Sequence, residues 1–237
     1  MRSLRNQAKS LMANHPDLFS NDGWDTAGAT GAAWSYPEVD WLMLDGLIRS
    51  TGARKVLELG SGRSTVLIAR TLHEVHGTNF EFTSMEEDKF WMDQTADKLE
   101  KLLSIEALKN VKLVFSPKVN CEFGMFSGTC YENVPAASYD LIYVDGPDTD
   151  CKVNLDAVKL LEKSDKKMNI LIDGRFKTAM AYRMLLPKAK FETFIHHQTI
   201  IRNVDKSDLN LKYNCHDVLD AVLAKKAPSF LSGDIHY

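Results

Sequence analysis

Four carboxylates close or nearly close four apolar, strand-like runs: Glu58 in "KVLELG", Glu86 after "FTSM", Asp145 after "LIYV" and Asp173 after "NILI". Ser116 closes a fifth run, "VKLVF". In an open α/β sheet the carboxyl ends of the strands border the ligand crevice, so side chains at these positions converge on one place. Carboxylates gathered there can accept hydrogen bonds from a sugar diol, take a proton from a reacting hydroxyl, or attract a cation. Between Glu58 and the next amphipathic segment lies a glycine turn, Gly60-Ser61-Gly62, followed by Ser64 and Thr65. A turn of that kind, strand to helix, is where such folds hold nucleotide-like ligands.

The residue types discriminate between ligands. A dinucleotide pyrophosphate wants GxGxxG, whose third glycine permits close packing of helix on strand. Here that third position is Thr65, and no GxxxxGK[ST] phosphate loop occurs anywhere. An acid such as Glu58 beside the turn would repel an anion and attract an ammonium or sulfonium group. Glu86 is placed to accept two hydrogen bonds from a ribose diol, a service that nicotinamide and sulfonium cofactors both need.

The elements that must position these residues follow from the hydrophobic pattern. Helices are expected over 37–52, started by Pro37 and stopped by Gly52, then over 64–77, 88–105, 151–163 and 177–186. Strands are expected at "KVLELG", "FEFTSME", "VKLVFS", "YDLIYVDG" and "MNILIDG". This alternation predicts an α/β fold: a doubly wound, mostly parallel, Rossmann-like sheet with helices on both faces. "LIYV" and "NILI" are apolar throughout, as central strands buried on both sides should be. "FETFIHHQTIIRNV" holds two runs with no room for a crossover helix, so the sheet should reach seven strands by ending in an antiparallel hairpin. One domain is expected over 37–237. Ahead of it, residues 1–36 should form a helix with Leu4, Ala8, Leu11 and Met12 on one face, then a Gly/Ala-rich loop carrying Trp24, Trp34 and Tyr36. That loop reads as a lid or as a linker.

Composition narrows the function. A net charge of −3 leaves no basic footprint for nucleic acid or anionic membrane. No apolar run approaches the roughly 20 residues that span a bilayer, and the basic first residues lack a secretory apolar core. The four cysteines (Cys121, Cys130, Cys151, Cys215) show no CxxC or zinc spacing. They predict reduced thiols in a cytoplasmic protein.

"VLELGSGRST", "FTSMEED" and "YDLIYVDGPD" together resemble class I S-adenosylmethionine-dependent methyltransferases, and most of all the small-molecule enzymes similar to catechol O-methyltransferase. The resemblance spans about residues 37–204, terminal hairpin included. It implies methyl transfer from S-adenosylmethionine to a small molecule, at oxygen. By that resemblance Glu58, Gly60, Ser61 and Gly62 line the methionine part of the cofactor, with Ser64 and Thr65 opening the helix beneath. Glu86 holds the ribose hydroxyls, Met85 and Glu87 lie beside the adenine, and Ser116 and Lys118 border its edge. Asp145 sits below the transferring methyl and is the first candidate base, Asp173 the second, and His196 or His197 the third. Metal-dependent enzymes that this chain resembles hold magnesium through an acid after strand four and an Asp-Asn pair after strand five. Here Asp145 and Asp173 are present, but Gly174 stands in place of the asparagine and Arg175 follows, so a divalent metal is not favoured. Two rivals stay open: a nicotinamide-dependent oxidoreductase, against which Thr65 and Glu58 argue, and a non-catalytic ligand-binding protein of the same fold.

Overall fold

The computed structural model describes residues 37–147, 152–194 and 198–212, with residues 10, 11, 13, 14 and 16 ahead of them; for 37–40 it describes the backbone alone. Helix α1 (Pro37–Thr51) leads into strand β1 (Lys55–Leu59), followed by α2 (Arg63–His76), β2 (Glu81–Glu86), α3 (Lys89–Leu102), a short α4 (Ile105–Leu108) and β3 (Val111–Phe115). The chain continues through β4 (Lys118–Phe123), β5 (Phe126–Tyr131), β6 (Leu141–Val144), β7 (Val153–Asn154), α5 (Asp156–Lys163), β8 (Met168–Ile172), α6 (Phe176–Leu185), β9 (Phe191–Thr193) and β10 (Thr199–Val204).

Seven of these strands form the central sheet, in the order β3-β2-β1-β6-β8-β10-β9. The first five are mutually parallel, and β10 runs antiparallel to both β8 and β9. The expected terminal hairpin is therefore present, and its second strand, not its first, adjoins β8. Strands β6 and β8 are buried at every position, which is why their sequences lack polar alternation. Their side chains divide between two cores. Val56, Tyr143, Leu171 and Ile200 join Leu44, Ile48 and Leu67 on one face, whereas Leu57, Leu59, Val144, Ile170 and Ile201 join Leu161 and Tyr182 on the other. The strand order reverses between β1 and β6, which makes their carboxyl ends the switch point of the sheet.

A second, three-stranded sheet, β4-β5-β7, occupies a stretch that the hydrophobic pattern leaves unassigned. Phe123 pairs with Phe126 across a two-residue loop whose first residue, Gly124, has φ +57°. A glycine there suits a tight hairpin, whose twist needs positive φ at that position. The hairpin also corrects the reading of the cysteines: Cys121 and Cys130 are joined as a disulfide, their Cα atoms 6.2 Å apart. With β4 and β5 unforeseen, nothing in the sequence spacing placed the two residues on adjacent strands. A further correction concerns the helix expected from Cys151. Val153 and Asn154 instead pair with Gly128 and Thr129 as β7, and α5 begins at Asp156.

Leu11 is buried in the same core as Trp41 and Leu44, on the helical stretch expected ahead of the domain. Leu4, Ala8, Met12, and the loop with Trp24, Trp34 and Tyr36, lie outside the described residues. Among the described residues no helix is long and apolar enough to cross a membrane.

The pairing of β5 with β7 is tight at Gly128. A Cβ there would lie 2.1 Å from the carbonyl oxygen of Val153 and 3.1 Å from Leu155. Gly128→Ala is therefore expected to cost roughly 1–3 kcal/mol by overpacking, seen as a lower midpoint in denaturant unfolding followed by circular dichroism. An unchanged midpoint would mean that β7 does not hold this register.

Candidate functional site

The residues that close the parallel strands stand in one row, because each is hydrogen-bonded to its neighbour. Ser116 N donates to Glu86 O (2.8 Å), Gly60 N to Met85 O (3.0 Å), Asp145 N to Leu59 O (2.8 Å) and Asp173 N to Val144 O (3.0 Å). At the centre of the row two glycines meet. Gly60 has φ +98°, and a Cβ on it would lie 2.7 Å from Gly146 N; a Cβ on Gly146 would lie 2.5 Å from Gly60 Cα. Only residues without side chains permit this approach. Gly62 differs: its φ of 169° is ordinary extended backbone, and a Cβ there would meet nothing within 4 Å among the described residues. The loop thus has one packed glycine below and one facing open space above.

Glu58 is one residue short of the end of β1, and its side chain shares the face of Val56, beneath the first turn of α2. The carboxyl is fully buried and accepts three hydroxyls: Ser64 Oγ (2.5 Å) on Oε1, and Thr65 Oγ1 (2.6 Å) and Ser84 Oγ (2.6 Å) on Oε2. Thr65 Oγ1 also accepts the Gly62 N–H at 2.8 Å. Burial raises the Glu58 pKa to about 7, against the opposing pull of those hydroxyls. The carboxyl lies under the loop, where it ties strand to helix.

Glu86 faces the loop from the end of β2. Its Oε2 accepts both the N–H (2.8 Å) and the Oγ–H (3.0 Å) of Ser61, and its Oε1 accepts the N–H groups of Glu87 (3.0 Å) and Asp88 (2.9 Å). Burial raises its pKa, and neighbouring Glu87 adds to the effect. The Ser61 hydroxyl is a rotor, so its position on Oε2 is one that an incoming diol can take over. Met85 is buried and presents only its carbonyl. Ser116 is sealed in, its Oγ accepting Asn133 N at 3.0 Å.

Tyr131, on the unforeseen hairpin, reaches the same place. Its Oη donates to Glu87 Oε2 (2.8 Å), lies 3.3 Å from Met85 O, and would be 2.7 Å from a Cβ on Gly146. Burial, and then the charge of Glu87, push this phenol well above its usual pKa, which keeps it a donor. Behind it, Asp156 accepts Tyr131 N (3.1 Å) and Asn154 Nδ2 (2.9 Å), while Asn154 Nδ2 also donates to Gly146 O (2.9 Å). Burial raises the Asp156 pKa to about 7. The sequence signal for these residues is slight: an Asn-x-Asp pair before a helix, and a tyrosine in a stretch with no assigned element.

At the other end of the row Asp145 is open to solvent, with its side chain 46% exposed. Arg175 Nη2 stands 3.6 Å from its Oδ1, and Arg175 Nη1 donates to Pro147 O at 3.2 Å. Asp173 accepts Tyr143 Oη (2.7 Å) on Oδ2 and Gln198 Nε2 (3.3 Å) on Oδ1. Asp145 and Asp173 thus sit on adjacent strand ends with different partners. His196 and His197 lie outside the described residues. No group of three potential metal-ligating side chains occurs among the described residues.

The buried acids make stability depend on pH. Folded Glu58 binds its proton up to about pH 7, whereas the unfolded carboxyl releases it near 4.5. The native state therefore holds more protons between those limits, and stability falls as pH rises through that window. Asp156, raised from 3.8 to about 7, acts in the same sense. In Glu58→Gln the fall should be shallower, so wild-type stability relative to the variant declines from about pH 4.5 to 7. Denaturant titrations across that range measure it; parallel curves would mean that Glu58 does not titrate there.

No protein-family model and no curated protein sequence matches the chain. Solved structures do match its fold. A Staphylococcus aureus protein provisionally described as a caffeoyl-CoA O-methyltransferase superposes with a TM-score of 0.52 at 11% identity, covering 82% of this chain and 98% of that one. A Klebsiella pneumoniae protein, provisionally described as an O-methyltransferase, gives 0.50 at 15% identity, covering 84% and 90%. The O-methyltransferase TomG from Streptomyces achromogenes, solved with S-adenosylmethionine, gives 0.48 at 14%, covering 84% and 89%. At these identities the likeness is one of fold. With a seven-stranded sheet, parallel except where β10 enters antiparallel, the chain has the Rossmann-like fold of the class I O-methyltransferases.

Proposed function

We propose that the protein transfers a methyl group from S-adenosylmethionine to an oxygen of a small molecule. The observation that carries this reading is the pairing of Glu86 with Ser61. A carboxyl suited to a ribose diol stands against the lip of the glycine loop, at the switch point of the sheet, where folds of this kind bind their ligands. Thr65 weighs against a dinucleotide. Its side chain fills the position of the third glycine and is engaged by both Glu58 and Gly62.

The residues present fit the cofactor. Gly62 opens on space that no side chain of the described residues fills, and Glu86 supplies acceptors for ribose hydroxyls. Tyr131 Oη fixes Glu87 on the side assigned to adenine. When bound, S-adenosylmethionine supplies an electrophilic methyl group on a sulfonium sulfur. The work left to the chain is mainly positioning, which alone is worth several kcal/mol when reacting atoms are held about 3–3.5 Å apart. Glu58, Thr65 and the Gly60–Gly146 contact hold the loop in a single geometry for that purpose. Asp145, exposed at the end of β6, takes the proton of the acceptor hydroxyl, and Asp173, held by Tyr143 and Gln198, flanks it.

Calorimetric titration with S-adenosylhomocysteine, and with NAD as control, tests the reading on wild type and Glu86→Ala. We expect micromolar binding of S-adenosylhomocysteine alone, weakened at least about tenfold in the variant, or about 1.4 kcal/mol. Binding of NAD instead would make the oxidoreductase the better account, and silence toward both ligands would leave a protein with the fold and no cofactor. Once an acceptor is found by screening, Asp145→Asn should lower kcat by roughly 10²–10⁴-fold if the carboxylate is the general base. An unchanged kcat and KM would remove Asp145 from that role.

A further inference from the structure

We propose that Arg175 takes the place that a divalent cation occupies in the metal-dependent enzymes this chain resembles, so that the positive charge on the acceptor side of the crevice is a guanidinium. The inference rests on the methyltransferase reading for the comparison with a metal site and for the acceptor; the contacts of Arg175, Asp145 and Asp173 stand by themselves. Three donors would be needed after β6 and β8, and among the described residues there one is engaged, one is missing and one already faces a cation.

Asp173 gives both oxygens to internal donors, Tyr143 Oη at 2.7 Å and Gln198 Nε2 at 3.3 Å, which hold its carboxyl on the face of the sheet that carries Tyr143. Gly174, where an asparagine would be required, has no side chain and turns the backbone at φ +58°. That turn delivers Arg175. Its guanidinium, with the side chain 20% exposed, reaches across to the loop after β6, where Nη1 donates to Pro147 O at 3.2 Å. Nη2 stands 3.6 Å from Asp145 Oδ1, beyond hydrogen-bond reach but close enough to set the local potential. Nε is buried and has no hydrogen-bond partner among the described residues. A fixed monocation beside Asp145 meets the carboxylate's demand for positive charge and repels a dication brought to the same oxygen. The guanidinium also keeps N–H donors in reserve, which a developing oxyanion on the acceptor can use.

The experiment is manganese titration of the full chain, with and without S-adenosylhomocysteine, reading the free aqua-Mn²⁺ signal by electron paramagnetic resonance. Because binding of Mn²⁺ is read directly, the outcome does not depend on methyl transfer or on cofactor binding. Wild type should leave the free signal at its buffer amplitude. Gly174→Asn combined with Arg175→Gln restores an acid, an Asp and an Asn, and asparagine tolerates positive φ better than most residues. That variant should bind Mn²⁺ at least about tenfold more tightly than wild type, and adding Asp145→Asn should abolish the gain. Arg175→Gln alone, which retains an amide N–H for Pro147 O, repeats the test with less risk to folding. Stoichiometric binding by wild type that is lost in Asp145→Asn would overturn the proposal. So would silence from every folded variant lacking the guanidinium, since exclusion would then not be the work of Arg175.

Discussion

The site depends on a backbone contact. Gly60 and Gly146 approach so closely that neither position has room for a Cβ, and through them the loops after β1 and β6 are set at a fixed separation. The strand order reverses at this point, and the glycine contact fixes how closely the two loops approach there. The contact is held on both sides by polar groups of other elements: Gly60 N by Met85 O, and Gly146 O by Asn154 Nδ2. The small β-layer is therefore joined to the site. Tyr131 Oη sits against Gly146 and Asn154 binds its carbonyl, so β5 and β7 brace the loop after β6 from behind.

Around this contact, buried carboxyls act as connectors. Glu58 gathers three hydroxyls from α2 and β2, Glu86 gathers N–H groups from the glycine loop and from its own turn, and Asp156 gathers Tyr131 N and Asn154 Nδ2. A buried carboxyl left without donors would cost several kcal/mol; with donors it becomes a rigid multi-point tie. The fold uses ionisable groups where a neutral amide would accept fewer bonds. The same burial lifts the pKa values of Glu58 and Asp156 to about 7, so these ties are expected to make stability depend on pH.

Much of this is legible in the sequence, for identifiable reasons. The apolar runs "LIYV" and "NILI" announce strands buried on both faces, and the acids that follow them fall at the carboxyl ends because strand length is short and well marked. The closing hairpin is legible because the interval between its strands is too short for a crossover helix. The β4–β5 hairpin is not, since "KVNCEF" and "FSGTCY" mix polar, small and apolar residues without clean alternation, and their burial is irregular. With the hairpin went everything that it carries: the Cys121–Cys130 pairing, Tyr131 at the site, and the true start of α5. The short β7 strand is equally silent, because two residues carry no periodicity and its register is set by the space left at Gly128.

Glu58 shows where a one-dimensional reading loses a dimension. Spacing puts it among the strand-end acids, and a charge argument then sets it beside the ligand. Alternation along β1 sets which way its side chain turns. Leu57 and Leu59 belong to one core and Val56 to the other, so Glu58 must turn with Val56 toward α2. By engaging Thr65, it holds a side chain where a dinucleotide fold would keep a glycine, and packs helix against strand through hydrogen bonds in place of bare backbone contact. The shape of the loop is thus a second feature, besides charge, that sets this turn apart from a dinucleotide turn.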